Sequence, residues 1–203
     1  MPDLFSDNTK SCQRLDLDHA SVIYYPDFFS KSKSGLYFKE LYEETPWQQD
    51  DIKIFGKIYP QPRLTALYAG NGLPYSYSGI TMHPHHFTPT LQHIKELVEG
   101  ICNTEFTTCL LNLYRNGQDS NGWHADDEKE LGKNPVIASV SFGAERFFKM
   151  RPKDRKGETI KLKLAHGSLL IMAGETQHFW QHELPKTKLV IEPRINLTFR
   201  VIK

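Results

Sequence analysis

From Glu105 onward the chain breaks into short runs of strand-forming residues, many of them alternating apolar with polar, separated by turn residues. Strands are expected near 106–115, 121–126, 136–142, 145–151, 159–164, 168–173, 178–183 and 194–202, with Gly117, Gly132-Lys-Asn-Pro135, Gly157 and Gly174 among the turns. About eight short strands at such spacing leave an antiparallel sandwich or barrel as the expected architecture. The clearest segment is Arg194-Ile-Asn-Leu-Thr-Phe-Arg-Val-Ile202. Period two puts Arg194, Asn196, Thr198 and Arg200 on one face, and Ile195, Leu197, Phe199 and Val201 on the other.

Upstream the pattern is looser. Residues 1–33 read as polar and irregular, with apolar islands at Val22–Tyr25 and Phe28–Phe29. Ser34 to Thr45 predicts a short helix ended by Pro46, and residues 52–82 predict short strands and turns, including the alternating Tyr75-Ser-Tyr-Ser-Gly79. A second helix follows: Thr88 can cap it, Pro89 suits its first position, and Leu91, Ile94, Leu97, Val98 and Ile101 share a face. No repeat or low-complexity segment is present.

The 203 residues suit one domain, expected over 1–203, with support helices in about 1–104 and the strand-rich core in about 105–203. Hydrophobic residues make up 39% and aromatics 12%, a globular composition. No run of about 18 apolar residues occurs, so no membrane partner is expected. The N-terminus lacks the basic-then-apolar pattern of a secretory signal. The three cysteines, Cys12, Cys102 and Cys109, include no CxxC spacing, which argues against a disulfide framework or a cysteine zinc site and for a reducing compartment. The net charge of +1 lacks a strong basic excess, so any nucleic-acid binding would rest on a local patch.

The segment Asn121-Gly-Trp-His-Ala-Asp-Asp-Glu128 carries the first chemistry. On an extended strand His124 and Asp126 aim an imidazole and a carboxylate at one point. A further histidine from a distant strand would complete a two-histidine, one-carboxylate facial set, which leaves coordination positions open and suits non-haem iron(II) oxygenases. A lone HxD is more often a surface loop. Three histidines, His166, His178 and His182, are candidates for the third ligand, and spacing does not choose among them. Met82-His-Pro-His-His86 has metal-like spacing but no cysteine or acidic neighbour, and reads as a surface loop.

The polar face of the last strand offers a second. Alone, such a face is usually just solvated. Beside an iron site, however, an arginine fork there would grip a carboxylate bidentately while keeping its charge. Asn112 and Tyr114, two apart on another strand, could add hydrogen bonds to the same ligand. Lys149, Arg151, Lys153, Arg155 and Lys156 form a basic turn that could contact phosphates or merely be solvated.

Together these residues resemble the AlkB family of nucleic-acid dealkylating dioxygenases, in particular its animal-type DNA and RNA repair members. The matching pieces are Asn112-Leu-Tyr114, Trp123-His-Ala-Asp-Asp-Glu128, Ser139-Val-Ser-Phe-Gly143, His166-Gly-Ser-Leu-Leu-Ile171, Trp180-Gln-His182 and Pro193-Arg-Ile-Asn-Leu-Thr-Phe-Arg200. They span about residues 105–202, and Tyr75–Gly79 is similar to the family's nucleotide-recognition hairpin.

The resemblance implies a mainly β fold with flanking helices, a double-stranded β-helix or jelly roll. It implies iron(II) on His124, Asp126 and His182, with His178 a strand neighbour. It implies 2-oxoglutarate on Asn112, Tyr114, Arg194, Asn196 and Arg200, with dioxygen as the second co-substrate and no catalytic residue beyond the metal ligands. The implied reaction is oxidative demethylation of bases such as 1-methyladenine and 3-methylcytosine in DNA or RNA, releasing formaldehyde, a DNA-repair activity. The base would be single-stranded or flipped out, stacked by Tyr75 and Tyr77 and touched by Glu128. Asp127 would orient nearby groups, and Arg63 would meet a phosphate. A monomer is expected, in the cytoplasm, or in the nucleus of a eukaryote. A hydroxylase of a protein or small molecule is the alternative, and the aromatic hairpin and Glu128 weigh against it.

Overall fold

Alternation and continuous apolar runs sort the segments into sheets buried on one face or on both. The structure, a computed structural model, describes residues 11–202 apart from 55–56, 71, 73–74 and 78–79. In chain order come β1 (Gln13–Leu15), β2 (Ser21–Tyr25), α1 (Lys31–Glu44), β3 (Asp51–Ile54), β4 (Lys57–Pro60) and β5 (Leu64–Ala69). Then follow β6 (Tyr75–Tyr77), β7 (Ile80–Met82), α2 (Pro89–Cys102), β8 (Thr108–Tyr114), β9 (Asn121–His124) and β10 (Ile137–Gly143). The last are β11 (Arg146–Pro152), β12 (Ile160–Leu164), β13 (Ser168–Ala173), α3 (Thr176–Phe179), β14 (Trp180–Leu184) and β15 (Arg194–Arg200).

Two antiparallel sheets face each other, the jelly-roll arrangement expected from the sequence. The major sheet has seven strands in the order β1-β2-β13-β10-β15-β8-β5, and the minor sheet has four, β12-β11-β14-β9. On the outer face of the major sheet, Phe28 and Leu41 around α1, and Leu91, Ile94 and Val98 of α2, pack on Leu111, Val140, Ile195, Leu197 and Phe199. Between the sheets lie Ile137, Phe148, Met150, Leu164, Leu170 and Met172. The alternation of β15 is therefore realised: its odd-numbered apolar residues meet the helices, and its even-numbered polar ones face the space between the sheets.

The helix signals hold. Thr88 Oγ1 accepts from Leu91 N at 3.2 Å, Pro89 opens α2, and Asn103 ends it in the left-handed region. α1 begins earlier than its apolar pattern suggests because Ser30 caps it, accepting from Lys33 N.

Three expectations need correction. Residues 1–33 are not irregular throughout: Val22 and Tyr24 of β2 are buried between the sheets while Ile23 and Tyr25 pack toward the helices. A strand covered on both faces shows no alternation, which is why Ser21-Val-Ile-Tyr-Tyr25 reads only as an apolar island. With β5, β2 also carries the major sheet across the boundary expected near residue 105. Finally, residues 176–179 form a turn of helix rather than the start of a strand, so β14 begins at Trp180.

Gly167, in the His166-Gly-Ser piece, shows why that motif needs glycine. Its φ is +83°, and a Cβ there would meet Ser34 Oγ and the Phe29 carbonyl. Its own N–H donates to Ser141 O at 2.7 Å, and its carbonyl accepts from Phe29 N at 2.9 Å, tying α1 to the sheet.

Candidate metal centre and co-substrate cleft

β14 runs antiparallel to β9 with His182 directly opposite His124, and the register shifts beyond that pair. The ring centroids stand 4.2 Å apart. Asp126 lies two residues past His124, just beyond the strand end, and is almost fully buried. One ligand atom from each of His124, Asp126 and His182 falls within 4.8 Å of the others. Phe148 stacks against the His182 ring at 5.2 Å and holds its plane.

Each of these groups is held in the state that binds a cation. Burial alone would raise the Asp126 carboxyl, but Arg200, His182 and His124 more than offset it and bring it to about 2. Arg200 donates to Asp126 Oδ1 at 2.6 Å, and the Asp126 N–H donates to Gln177 Oε1 at 2.9 Å. Burial, with neighbouring His124, pushes the His182 imidazole down to about 3. Burial also lowers His124. Its Nδ1 lies 2.8 Å from the Gly122 carbonyl, which can only accept; the proton therefore sits on Nδ1 and leaves the Nε2 lone pair for a ligand. Two neutral imidazoles and an ionised carboxylate are the donor set a divalent cation needs, so these residues fit iron(II).

A cleft of about 540 Å³, counting its open mouth, reaches these three residues. Arg194 lines it and is 2% exposed. One guanidinium nitrogen donates to Ser141 Oγ at 2.8 Å, and its carbon lies 5.3 Å from the centre of the Tyr114 ring. Burial lowers Arg194 to about 10, which still leaves it cationic at neutral pH. Among the described residues its Nε has no hydrogen-bond partner and no carboxylate comes within 4.0 Å. A buried cation so placed calls for an anionic ligand. Asn112 and Asn196 line the same cleft. Asn112 Oδ1 accepts from Arg63 Nε at 2.8 Å, and Asn196 Nδ2 donates to Ser139 Oγ at 2.8 Å.

The other sequence-predicted residues divide. Arg63 is buried and forms part of the cleft wall, with Ser120 O as a further acceptor at 3.4 Å, rather than standing at the surface to meet a phosphate. Glu128 stands half-buried beside the centre, its carboxyl raised by burial and by Asp126, and among the described residues its Oε2 has no hydrogen-bond partner. Asp127 faces outward and pairs with Lys153 at 2.6 Å. Tyr75 and Tyr77 lie in β6, opposite Met82 and Ile80 of β7, while Ser78 and Gly79 lie outside the described residues. Of the basic cluster, Lys149 and Arg151 lie in β11 and not in a turn: Lys149 pairs with Glu183 at 3.1 Å, and the Arg151 guanidinium lies 4.0 Å from the centre of the Trp123 ring.

The two rejected histidines have other partners. His166 Nδ1 accepts from Gly143 N at 2.9 Å, and His178 lies in α3 beside Asn134 Oδ1 at 2.9 Å, so it is not a strand neighbour of His182. Gln177, Phe148, Ser139 and Ser141 shape the site but carry no role in the sequence reading. The period-two spacing of Ser139 and Ser141 in β10 is the one signal that could have found the hydroxyls.

Comparison with known proteins agrees with this geometry. The profile of the 2OG-Fe(II) oxygenase superfamily matches residues 21–200. The human alpha-ketoglutarate-dependent dioxygenase alkB homolog 3 is 45% identical over 190 residues, covering 89% of this chain and 66% of that protein. The human DNA oxidative demethylase ALKBH2 is 41% identical over 188 residues, covering 88% and 72%; the Arabidopsis thaliana protein of that name is 37% identical over 224 residues, covering 97% and 71%. The chain spans about 64–66% of the length of the alkB homolog 3 proteins it matches. A solved structure described as OsALKBH1 superposes with a TM-score of 0.67 at 14% identity, over 94% of this chain and all of that one, a likeness of fold.

Proposed function

Given that the chain belongs to the AlkB family of the 2OG-Fe(II) oxygenase superfamily, we propose that it oxidatively demethylates N-alkylated nucleobases, 1-methyladenine and 3-methylcytosine, in DNA or RNA, with iron(II), 2-oxoglutarate and dioxygen. The observation that carries this reading is the convergence of His124, Asp126 and His182 in one cleft with the uncompensated Arg194 guanidinium.

His124, Asp126 and His182 hold the iron. Bound there, it supplies the activation of dioxygen that turns 2-oxoglutarate into succinate and carbon dioxide and oxygenates a C–H bond. Arg194 binds the far carboxylate of 2-oxoglutarate as a planar fork, with Tyr114 and Asn112 beside it. Arg200 fixes the Asp126 carboxylate and keeps positive potential at the near end of the co-substrate. Asn196 sets the cleft wall through Ser139, and Arg63 fixes Asn112. Phe148 and the surrounding apolar residues limit water.

The damaged base reaches the cleft flipped out or from a single strand, and methylation of its pairing edge lowers the cost of unpairing. Tyr75 and Tyr77 stack on it, and Glu128 offers a carboxylate to a base made cationic by alkylation. Once an N–CH3 becomes N–CH2OH, its loss as formaldehyde restores the N–H. The chain acts as one domain, its core sheet drawing β2 and β5 from the N-terminal half as well as the strands after residue 105, and works as a monomer. Among the described residues no helix is long and apolar enough to cross a membrane; the cytoplasm or nucleus is the proposed location.

Mass spectrometry of short methylated oligonucleotides incubated with enzyme, iron(II), ascorbate and 2-oxoglutarate tests this. Loss of the methyl mass with matching succinate is expected. Succinate without methyl loss would reject nucleobases in favour of a protein or small-molecule substrate.

A further inference from the structure

The outer face of the minor sheet carries an aromatic and cationic surface that the cleft does not use. Along β11, Phe147, Lys149 and Arg151 alternate with Phe148 and Met150, which face the core. Phe147 is 53% exposed. Across the ladder, Phe147 stands opposite Lys163 and Lys149 opposite Lys161. Two lysines directly opposed on one face repel and lower stability, so the arrangement has a cost that packing does not explain. Glu183 relieves Lys149 and Glu145 pairs with Lys163, but among the described residues no carboxylate lies within 4.0 Å of Lys161 or Lys186. The segment 185–191 walls the other side. Phe147, Lys149, Lys161, Lys163, Lys186 and Leu189 line the resulting groove, whose volume is about 910 Å³, counting its open mouth.

An open ring set among cations matches a single nucleic-acid strand, since every base has a face to stack and every linkage a phosphate to neutralise. An acidic peptide would satisfy the lysines, but only a nucleic-acid strand brings a flat ring with every charge. We propose that this groove is a second strand-binding subsite for unmodified nucleotides flanking the damaged base, with one base on Phe147 and phosphates on Lys161 and Lys186. This rests on nucleic acid being the substrate. Phe147 lies three residues along β11 from Met150, which pairs with His182, so the groove is about 10 Å farther along the strand and on the opposite face of the sheet. Seven flanking nucleotides cover about 24 Å even at the duplex spacing of about 3.4 Å each, enough to round the edge of the sheet and enter the groove. The two of a 5-mer would have to round that edge and cover the distance of about 10 Å as well, and fall short.

The test uses the full chain and fluorescein-labelled single strands of 5 and 15 nucleotides with one central 1-methyladenine. Anisotropy from 50 to 300 mM salt gives Kd and its salt slope for wild type, Lys161→Ser/Lys186→Ser and Phe147→Ser. We expect each variant to bind the 15-mer about tenfold more weakly and the 5-mer unchanged. The double variant should flatten the salt slope by about 1.4 for two lost contacts to a single strand. Unchanged 15-mer binding would overturn the inference and leave the face to an acidic protein; equal losses on both lengths would overturn it too. Demethylation of the 5-mer, followed in parallel, reports on the underlying function. If wild type demethylates it and the variants still bind the 15-mer normally, only the groove assignment fails.

Discussion

At the scale of single residues, charge state governs the proposed metal centre. His182 is held at about 3 against 6.5 for a free imidazole, and Asp126 at about 2 against 3.8 for a free carboxyl. Both folded values are depressed, so in each case the unfolded chain takes up the proton first. The His182 contribution is complete above 6.5 and is lost as pH falls from there toward 3; that of Asp126 follows below 3.8. The melting temperature of the metal-free protein should therefore fall steadily from pH 7 to pH 5, because His182, His124 and His166, all lowered by burial, take up protons first in the unfolded chain, and His182→Gln should lessen that fall. A wild-type melting curve that is level across this window would contradict a buried neutral imidazole. His182→Ala should weaken Mn(II) binding at least about 100-fold by calorimetry and abolish turnover, while His178→Ala leaves both nearly intact. The sequence left these two histidines equivalent because an even spacing means one face only if the chain stays extended. Thr176 breaks that premise by donating from Oγ1 to Ala173 O, and it closes the turn that carries His178 away. The arginine face of β15, by contrast, was legible from alternation alone.

At the scale of elements, α3 joins the two segments that carry the proposed ligands. Gln177 is 1% exposed and sits five residues before His182, yet its Oε1 accepts from the N–H of Asp126. Gln177→Leu should keep the fold but raise the Kd for Mn(II) about 10–100-fold, the usual effect of losing a group that orients a ligand. An unaltered metal affinity would reduce Gln177 to packing. Gly167 acts on the other side of the molecule, where α1 meets the sheet. Gly167→Ala should lower unfolding stability by about 2–4 kcal/mol in urea, through positive φ and collision with Ser34. Elements with one buried face could be found in the sequence. β2 could not, since both its faces are covered and a doubly buried strand leaves no period to read.

At the scale of the molecule, the cleft couples ligands to stability. A ligand at 100 times its Kd adds about 2.7 kcal/mol, or about 5–11 °C in a chain of this size. Mn(II) should raise the melting temperature, and 2-oxoglutarate should raise it again. Arg194→Met should keep the first increment and lose the second. Loss of the metal increment as well would mean that Arg194 supports the ligand set and not the co-substrate alone.

The order of the major sheet also bears on how the chain is made. β15, the last strand in sequence, lies between β10 and β8, in the interior of the seven. As synthesis proceeds, β5 with β8, and β2 with β13 and β10, can assemble only as two unjoined half-sheets, each with a raw edge, until residues 194–200 leave the ribosome. Completion then depends on contacts between distant parts of the sequence, the slow kind. A ribosome that stalls before Arg194 would release two sticky fragments of sheet on one thread, a client for chaperones rather than a shortened enzyme.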